Sequence, residues 1–350
     1  MQTLTLGKIF SSPSQQFTAP PWLEAIPKVR LGHWPTPLEQ LPRLTKELSG
    51  PQLWVKRDDC SGLATGGNKT RKLEFLLADA INQGANTIVT YGAVQSNHAR
   101  QTAAACAKLG LECHLLLSER VDWPHTSYNN NGNVLFNKLF GAHIHMLTLD
   151  EFTQRQPEIL ADLMAQNKRV YQIPPGGSNA LGALGYAMCL AELTWQTNEM
   201  GISLDQIVHA SASSATQAGL IFGAGAIKSK VDILGINVFH PDPATLTTRI
   251  EKLLAQMSVE FPDSNAGFGL PININHAYFG EAYGKPTDAG LDAIKMVAEL
   301  EGLLFDPVYS GKALAALIDQ INLGNFSHHE NIVLIHTGGA ASLSAYVDAF

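Results

Sequence analysis

The sequence predicts an α/β protein of two domains, built from open, twisted, mostly parallel sheets with flanking helices. Three observations support this prediction. Apolar, β-branched runs recur along the chain, helical patterns lie between them, and 350 residues are enough to bury a large core in each of two domains. Strands that alternate with helices in this way form parallel sheets joined by crossover helices. We therefore expect ligands at the carboxyl ends of the strands.

The predicted elements follow in chain order. Two helical segments, 71–84 and 101–110, carry apolar residues at helical spacing and end on glycine, which is favoured at helix C-termini. The first sixty or so residues show no helix–strand alternation, and we expect them to pack back onto the C-terminal part. Proline and glycine at 174–177 indicate a boundary between a compact α/β unit and a longer one. The predicted strands are 87–93, 112–118, 142–148, 206–212, 232–238 and 331–337.

Composition argues against several classes of function. Charged residues make up 16% of the chain and the formal net charge is −7, so no basic surface is indicated for nucleic acid. The N-terminus lacks a basic segment followed by an apolar block, and no apolar run reaches the roughly eighteen residues of a membrane span. We expect a cytoplasmic protein without nucleic-acid or membrane partners.

The histidines give no metal-binding motif. The chain has 12 histidines but no HExxH sequence. The near pairs His143/His145 and His328/His329 lack accompanying ligands, so we expect no metal site.

The most informative motif is GGNKTRK at 66–72, where Lys69 follows a glycine-rich turn at the predicted start of a helix. Unpaired backbone N–H groups give a helix N-terminus partial positive charge, so we expect the pKa of this lysine to be lowered. A lysine that loses its proton readily is a nucleophile, and such lysines form Schiff bases with carbonyl compounds, including pyridoxal phosphate. The alternative is a surface lysine in a basic first turn beside Arg71 and Lys72.

Two polar loops follow predicted strands and open helices. In the first, 94–100, Ser96, Asn97 and the helix N–H groups could hold a carboxylate, and the alternative is an ordinary N-cap. The second, 211–219, combines small residues and hydroxyls at a helix N-terminus, which favours phosphate binding over a small-residue turn. This second loop is neither a Walker loop nor a GxGxxG motif, so a phosphorylated cofactor without an adenosine group fits better.

Two further segments are candidates for the site. Asp306-Pro307-Val308-Tyr309-Ser310 contains a tyrosine that could be a core residue or could present its phenol to a reacting group. Thr337 ends the last predicted strand and precedes two glycines, which permit close approach of a flat ligand. The alternative for this second segment is a simple turn.

Together these segments resemble the pyridoxal-phosphate enzymes of the tryptophan-synthase β type, in particular the group of aminocyclopropane-carboxylate deaminases and D-cysteine desulfhydrases. The resemblance implies a homodimer of tryptophan synthase β-subunit-like chains with pyridoxal phosphate in the cleft between two domains. It favours a larger cofactor-binding domain of residues 1–71 and 179–350 and a smaller α/β domain of residues 72–178. It begins near PTPL and runs to the C-terminus through WVKRDDCSGLATGGNKTRKLEF, YGAVQSNHARQTAAACAKLGL, PPGGSNALGALGY, SATQAG, AYGKPTDAGLDAIKMVAELEG, LFDPVYSGKALAALI and LIHTGGAAS.

The resemblance also implies roles for individual residues. Lys69 matches the family's Schiff-base lysine and Asn97 matches the asparagine beside the cofactor's ring hydroxyl. Ser96 matches the serine that contacts the substrate carboxylate, and it is expected to assist proton movement in catalysis. Tyr283 is expected to flank the ring or substrate, and Tyr309 to carry a proton. His98 lies next to Ser96 and Asn97 and is expected to help bind substrate. The phosphate loop would comprise Ser213, Ser214, Ala215 and Thr216, with Ser214 in place of a usual glycine.

Two positions favour one branch of the group. The deaminases typically carry glutamate and leucine where this chain has Ser310 and Thr337. A carboxylate facing the pyridine nitrogen keeps it protonated, whereas a hydroxyl leaves it largely neutral, which suffices when the substrate has a good β-leaving group. The resemblance thus implies α,β-elimination of D-cysteine to pyruvate, hydrogen sulfide and ammonia.

Other functions remain as alternatives at this point. An aminocyclopropane-carboxylate deaminase and an L-cysteate sulfo-lyase would share the fold. A binding or regulatory paralogue would belong to a different class, against which the intact Lys69, Asn97 and Tyr309 argue. A nicotinamide dehydrogenase is remote because no GxGxxG motif is present.

Overall fold

The protein contains a large and a small sheet. A computed structural model describes residues 17–266 and 270–350, so the first 16 residues of the predicted larger domain lie outside the described part. The described strands are β1 (Leu38–Gln40), β2 (Gln52–Lys56), β3 (Thr87–Ala93), β4 (Glu112–Ser118), β5 (His143–Leu147), β6 (Val170–Ile173), β7 (Gln206–Ser211), β8 (Asp232–Asn237), β9 (Asn273–Asn275) and β10 (Asn331–Ile335).

Helices cover the faces of both sheets. Short 3-10 turns lie at Asp58–Cys60, Pro175–Gly177, Pro262–Ser264 and Ala340–Ala349. The described α-helices are α1 (Pro21–Glu24), α2 (Pro42–Leu48), α3 (Lys69–Asn82), α4 (Asn97–Leu109), α5 (Ser127–Asn130), α6 (Asn133–Leu139), α7 (Leu149–Ala165), α8 (Ala180–Met200), α9 (Ala215–Ile227), α10 (Pro243–Glu260), α11 (Asp288–Glu301) and α12 (Ser310–Asn322).

The large sheet has the strand order β1-β2-β10-β7-β8-β9, and only the edge strand β1 pairs antiparallel. Strands β1 and β2 come from the N-terminal sixty residues, where α1 and α2 alternate with them. The prediction that this segment has no helix–strand alternation is therefore wrong, because β1 is too short to show a period. The prediction that it packs back onto the C-terminal part is confirmed, since β2 pairs in parallel with β10.

The small sheet has the order β5-β4-β3-β6 and is wholly parallel. All six predicted strands are present within one or two residues of their predicted ends, and the strands β1, β2, β6 and β9 are additional. The four strands of this sheet fall within residues 72–178, while the predicted boundary after residue 71 lies inside α3. The division into domains stays a prediction.

The helix that begins at Lys69 is held against the large sheet by α8. At Gly185 of α8, a Cβ atom would lie 2.6 Å from the carbonyl carbon of Arg71, so only glycine permits this close crossing. Helix α8 is apolar around most of its circumference and is buried between α3 and α9. The close contact between α8 and the backbone of Arg71 thus fixes the position of the first turn of α3.

A buried network of two cations and two carboxylates lies beneath the same turn. The Arg71 guanidinium donates to both carboxylate oxygens of Asp58, at 2.9 and 2.8 Å, and to those of Glu192, at 3.0 and 2.9 Å. The ammonium of Lys56 contacts Glu192 and donates to the Thr36 carbonyl at 2.7 Å. The four charged side chains are at most 2% exposed, and their formal charges cancel. The alternative of a surface lysine in a solvated basic turn does not fit, because Arg71 and Lys72 of that turn are both buried.

One further expectation needs correction. His143 and His145 on β5 lie beside His114 and Glu112 on the neighbouring strand β4, so the pair does not lack accompanying ligands. The sequence gives no sign of this cluster, because its residues are about thirty positions apart and come together only through the pairing of β4 with β5. Separately, no helix in the described ranges is long and apolar enough to cross a membrane.

Candidate active site

Each sheet has one point at which the strand order reverses its direction, and both points face the same cavity. In the small sheet the order reverses between β3 and β6, and in the large sheet between β7 and β10. Ligands of open α/β sheets bind beyond the carboxyl ends of the strands at such points. The segments that follow these four strands all contribute to the wall of a cavity of about 540 Å³, a volume within the usual range for small-molecule sites.

The cavity wall joins most of the residues that the sequence indicated, and within the described ranges it includes no aspartate or glutamate. It is bounded by cations and hydroxyls, so it is suited to an anionic ligand. The predicted site residues on the wall are Lys69, Ser96, Asn97, His98, Ser213, Ser214, Thr216, Tyr283, Tyr309 and Thr337. The predicted residues that do not line it are Ala215 and Ser310.

The glycine turn before Lys69 is required by close packing. Gly66 has φ +73°, and a Cβ atom there would lie 1.6 Å from the carbonyl oxygen of Asp59. Gly67 has φ +131° and faces the side chain of Gln101. Both backbone positions are open only to glycine. The turn ends at Asn68, and Lys69 is the first residue of α3, as predicted.

The amine of Lys69 has the electrostatic character expected of a nucleophile. Burial lowers its pKa to about 8, because the ammonium form loses hydration in the cavity. The predicted direction is confirmed, but desolvation rather than the helix N-terminus is the cause. Neighbouring Lys72 is wholly buried, and burial together with the charge of Lys69 lowers the pKa of Lys72 well below the ordinary value.

The sequence resemblance implies pyridoxal phosphate as the partner of this amine, and the lowered pKa then leads to a test on the protein stripped of that cofactor. Only the neutral amine attacks an aldehyde, and a pKa of about 8 makes about a tenth of Lys69 neutral at pH 7 and about nine-tenths at pH 9. The initial rate at which added pyridoxal phosphate develops its lysine-bound visible band should therefore rise several-fold between these pH values and level off above pH 9. A rate that does not change across this range would contradict the lowered pKa.

Ser96 and Asn97 open α4 at the end of β3. The Ser96 hydroxyl oxygen accepts the backbone N–H of Ala99 at 3.1 Å, so it is an N-cap, which leaves its own hydrogen free to donate into the cavity. The Asn97 Oδ1 accepts from Asn133 Nδ2 at 3.0 Å. Because Asn97 Oδ1 faces Asn133, the Asn97 amide nitrogen points away from Asn133, and its N–H groups can donate to a ligand.

Sequence reasoning missed the residues that orient Asn97. Asn133 is fully buried, and its Oδ1 accepts from Arg100 Nε at 2.8 Å, which directs its Nδ2 toward Asn97. Arg100 also donates to the Gly66 carbonyl at 3.0 Å and so ties α4 to the turn before Lys69. Asn133 begins α6, far from any motif in the sequence, and no local signal marks it.

The loop after β7 has the features of an anion site. Ser214 has φ +80° and ψ −36°, a backbone conformation that favours glycine, which agrees with the glycine usual at this position. Its hydroxyl is buried and has no hydrogen-bond partner among the described residues. The loop leads into α9, whose first N–H groups face this end of the cavity, and Ala215 N donates to Ser178 Oγ at 3.4 Å.

Lys72 lies close to this loop. Its Nζ is 3.5 Å from the Gly176 carbonyl oxygen, and a Cβ on Gly176 would lie 2.4 Å from Ser213 Oγ. No carboxylate within hydrogen-bond range of this buried amine occurs in the described ranges. A phosphate bound by the loop after β7 would supply the missing counter-charge and accept from the unpartnered Ser214 hydroxyl.

A Ser214→Gly variant tests this interpretation of the loop. Removing a left-handed serine relieves backbone strain of about 1 kcal/mol. In the protein stripped of cofactor, we therefore expect Ser214→Gly to unfold at higher denaturant concentration than wild type. With pyridoxal phosphate bound, the gain should shrink because the variant lacks the hydroxyl donor. Equal gains with and without cofactor would contradict a contact between Ser214 and the phosphate.

The two predicted tyrosines contact each other. The Tyr283 and Tyr309 hydroxyls are hydrogen-bonded, and the rings pack edge to face with centroids 6.0 Å apart. Burial raises the pKa of Tyr283, and burial followed by the charge of Tyr283 raises that of Tyr309 well above the ordinary value. Both phenols are therefore protonated near neutral pH, and the pair can donate a proton but is not a base.

His98 is a neutral buried imidazole. Thr90 donates its hydroxyl hydrogen to the Ile173 carbonyl, so the 2.8 Å contact between Thr90 Oγ1 and His98 Nε2 assigns the ring hydrogen to Nε2. Nδ1 has no hydrogen-bond partner among the described residues. Burial, then the charges of Lys69 and Lys72, lower the pKa of His98 well below its usual value. The unpartnered Nδ1 is available as an acceptor.

Ser310 and Thr337 differ in their placement. Thr337 lines the cavity next to the Lys69 turn, since its carbonyl accepts from Asn68 N at 3.0 Å. Ser310 is 2% exposed, and its hydroxyl donates to Asp306 Oδ1 at 2.5 Å, away from the cavity wall. A glutamate at 310 would place a second carboxylate beside Asp306.

Three cations missed by sequence reasoning lie at the rim of the cavity: Arg120, Arg249 and Lys252. All three are exposed. Arg120 donates to Ser118 Oγ at 2.7 Å, and the Arg249 guanidinium lies 5.2 Å from the centre of the Phe239 ring. In contrast, Arg100 does not line the cavity, because its guanidinium is bound to backbone carbonyls and Asn133.

The combination of a half-buried lysine with a lowered pKa, an anion loop at a helix N-terminus and a cavity between two mostly parallel sheets defines a pyridoxal-phosphate site. The chain matches the pyridoxal-phosphate dependent enzyme family over residues 29–338 and belongs to that family. The residues present fit the cofactor, because Lys72 and Ser214 are buried polar groups that its phosphate would satisfy.

Two relatives and one solved structure are similar to the chain over nearly its full length. The chain is 43% identical to a protein named D-cysteine desulfhydrase from Serratia proteamaculans over 327 residues, which is 93% of this chain and 97% of that protein. It is 42% identical to the protein of the same name from Klebsiella pneumoniae, with coverage of 93% and 97%. A crystal structure of an ACC deaminase homologue superimposes with a TM-score of 0.83 at 33% identity and covers 94% of this chain and 96% of that one.

A more distant structure shares the fold alone. A hydrogen sulfide-producing enzyme from Fusobacterium nucleatum is 13% identical, with a TM-score of 0.63, and the match covers 92% of this chain and 98% of that one. The predicted α/β class with parallel sheets is confirmed by these matches.

Proposed function

We propose that this chain is a D-cysteine desulfhydrase, a pyridoxal-phosphate dependent carbon–sulfur lyase that converts D-cysteine to pyruvate, hydrogen sulfide and ammonia. The observation that carries the proposal is the Lys69 amine with its lowered pKa in the cavity, opposite the N-terminus of α4. The relatives that share the sequence over nearly its full length carry the name D-cysteine desulfhydrase, which supports the choice of substrate.

The cofactor, when bound, supplies an electron sink for the charge left at Cα after proton removal. The protein's own residues then bind and orient the amino acid. We assign the substrate carboxylate to Ser96, Asn97 and the first N–H groups of α4, because these donors converge where the positive end of the helix faces the cavity. Lys72, Ser213, Ser214, Ala215 and Thr216 would hold the cofactor phosphate.

The proton at Cα goes to Lys69 Nζ in this proposal. A base must be unprotonated near the working pH, and the lowered pKa of Lys69 meets this requirement whereas the raised pKa values of Tyr283 and Tyr309 do not. The tyrosine pair is suited to the opposite task, because two protonated phenols in contact can deliver a proton to the departing sulfur.

The absence of carboxylates from the cavity wall supports elimination over ring opening. Within the described residues, Thr337 and other neutral or cationic groups line the cavity, so no carboxylate there protonates the pyridine nitrogen. A weaker electron sink suffices for a substrate that expels sulfide. Ring opening of aminocyclopropane-carboxylate has no such leaving group, which places the deaminase reading second to the desulfhydrase reading.

An L-cysteate sulfo-lyase is a further alternative. Arg120, Arg249 and Lys252 at the rim could attract a sulfonate. These cations are exposed, however, and exposed charges are screened by salt. A sulfonate at the reacting carbon would need a buried cation, so D-cysteine fits better.

The experiment is to measure pyruvate release by the purified holoenzyme with D-cysteine, L-cysteine, L-cysteate and aminocyclopropane-carboxylate in parallel. We expect release from D-cysteine to be at least about tenfold faster than from any other substrate. Preferential release from L-cysteate or aminocyclopropane-carboxylate would establish the corresponding alternative. A protein that binds pyridoxal phosphate and releases pyruvate from none would indicate a non-catalytic paralogue.

We also propose that the enzyme is a cytoplasmic homodimer in which residues 72–178 form the smaller domain. The family resemblance supports the dimer, and the placement of all four strands of the small sheet inside 72–178 supports the division. Sedimentation equilibrium should give twice the mass of one chain. A monomeric mass at micromolar concentration would contradict the dimer.

A further inference from the structure

Four polar residues form a cluster on the small sheet, at the opposite end of the strands from the cavity. Glu112 and His114 are two residues apart on β4, and His143 and His145 are two residues apart on β5, so each pair faces one side of the sheet. The Cα atoms of His114 and His143 are register partners. We call these four residues the β4–β5 histidine cluster.

We infer that the β4–β5 histidine cluster is a binding site for a divalent transition metal ion, with Zn²⁺ as the expected ion. Glu112, His114 and His143 would each supply one ligand atom, and one carboxylate oxygen and one ring nitrogen of each histidine lie within 4.8 Å of one another. Three imidazole and carboxylate ligands with one open position form a common zinc coordination set. The inference is independent of the proposed function.

The distances between these atoms suit tetrahedral coordination. Two zinc bonds of about 2.0 to 2.1 Å at the tetrahedral angle hold their ligand atoms about 3.3 Å apart. Glu112 Oε1 is 2.9 Å from His114 Nε2 and 3.9 Å from His143 Nε2, so the two distances bracket this value. The rings of His114 and His143 are stacked, with centroids 4.5 Å apart. His143 must tilt out of the stack to bind, and its side chain is 58% exposed and free to do so.

His145 would act as an outer partner of the site. Its Nε2 lies 3.1 Å from His114 Nδ1. With metal on His114 Nε2, the His114 ring hydrogen moves to Nδ1 and is donated to His145 Nε2, and the His145 hydrogen moves to Nδ1. Each ring keeps one hydrogen and stays neutral, so the exchange is balanced. Metal-bound histidines commonly donate their other ring N–H in this manner.

The charge beside the cluster preorients its carboxylate. The Lys168 ammonium contacts Glu112 Oε2, which leaves Oε1 directed toward the histidines. Lys168 also repels a cation, so its removal should strengthen metal binding.

The site would join the edge strand of the small sheet to its neighbour. β5 is the edge strand, and a metal held by both strands adds a link between them beyond the backbone hydrogen bonds. Glu112 of β4 is the register partner of Thr87 on β3. Thr87 lies six residues before Ala93, where β3 ends at the cavity. This separation of about 20 Å along the strands gives the metal a structural role and no part in elimination.

The test is a titration of the holoenzyme with Zn²⁺ in competition with a colorimetric chelator that absorbs away from the cofactor. We expect one Zn²⁺ per chain in wild type. His143→Ala should remove this binding, and His145→Phe should weaken it about 10- to 100-fold. Lys168→Gln should bind more tightly than wild type. The matched control is the double change His328→Ala/His329→Ala, which removes another exposed histidine pair and should leave the affinity unchanged.

Thermal unfolding gives a second readout. A ligand that binds only the native state raises Tm, so excess Zn²⁺ should raise the Tm of wild type and of the control but not of His143→Ala. His143 is exposed, so its replacement should not impair folding. Equal zinc affinity in wild type and His143→Ala, or no saturable binding by wild type, would overturn the inference. Elimination activity should be the same in all these variants.

Discussion

Replacement of Lys69 by alanine should reduce kcat/KM for D-cysteine by about 10⁴-fold or more, because one amine is assigned both the attachment of the cofactor and the removal of the Cα proton. The visible absorbance of lysine-bound pyridoxal phosphate should disappear with the activity. The position of Lys69 at the first residue of α3, with its pKa lowered to about 8, is the structural reason. Absorbance spectra and pyruvate release measure the two effects.

Two controls make the Lys69 result specific. Lys285→Ala removes a half-buried lysine that pairs with the exposed Glu281 and should leave both the absorbance and the rate unchanged. Lys69→Arg keeps the positive charge but lacks a nucleophilic amine, so it should be as inactive as Lys69→Ala while folding normally. Activity in Lys69→Arg above a few per cent of wild type would show that another group removes the proton.

The second large effect concerns stability. Glu192→Gln should lower the free energy of unfolding by about 3 to 5 kcal/mol, because it leaves Lys56 and Arg71 buried with one compensating carboxylate instead of two. Urea denaturation of the holoenzyme measures the change. Glu281→Gln, which breaks an exposed pair with Lys285, is the matched control and should leave the unfolding midpoint unchanged. Equal midpoints for the two variants would contradict a structural role for the network.

The same network predicts an acid limit to stability. Burial by itself would raise the pKa of Glu192, but the opposing Arg71 and Lys56 charges outweigh burial and hold this pKa at about 2, against 4.5 for an ordinary glutamate. A carboxylate with a lowered folded-state pKa contributes stability above its unfolded-state pKa and loses it as the pH falls toward the folded-state value. The contribution is therefore complete above about pH 4.5 and declines toward pH 2.

Much of the fold could be predicted because long parallel strands are apolar throughout. β3 and β4 coincide with their predicted ranges, since buried strands of this kind read as continuous hydrophobic runs. β1 and β9 have three residues each, too few for a pattern to appear, and β6 is only four residues long. β2 carries apolar residues, but the helix α2 before it has only seven residues, and the pairing of β2 with β10 identifies it as a strand.

The candidate site was predictable where its residues follow strands. Lys69, Ser96, Asn97 and Thr337 come at the ends of strands or starts of helices, where a local pattern marks them, and all four line the cavity. Sequence reasoning missed the residues that position the side chains lining the cavity. Asn133 orients Asn97 from a helix about 36 positions away, and this link depends on tertiary packing alone.

The direction of side chains was also beyond the sequence. Ser310 follows Tyr309 directly, but its hydroxyl turns to Asp306 and it does not line the cavity. Lys72 follows Arg71, and the two buried side chains have different partners: Arg71 pairs with carboxylates, whereas the Lys72 amine contacts the Gly176 carbonyl. A run of basic residues in a sequence is more often a solvated surface, and only the structure distinguishes these cases.

The most direct test of the account is to quantify sulfide and pyruvate together when the purified holoenzyme acts on D-cysteine. The proposed elimination predicts the two products in equimolar amounts, at a rate that is lost in Lys69→Ala. Pyruvate without sulfide, or no product from D-cysteine by a protein that holds pyridoxal phosphate at Lys69, would contradict it.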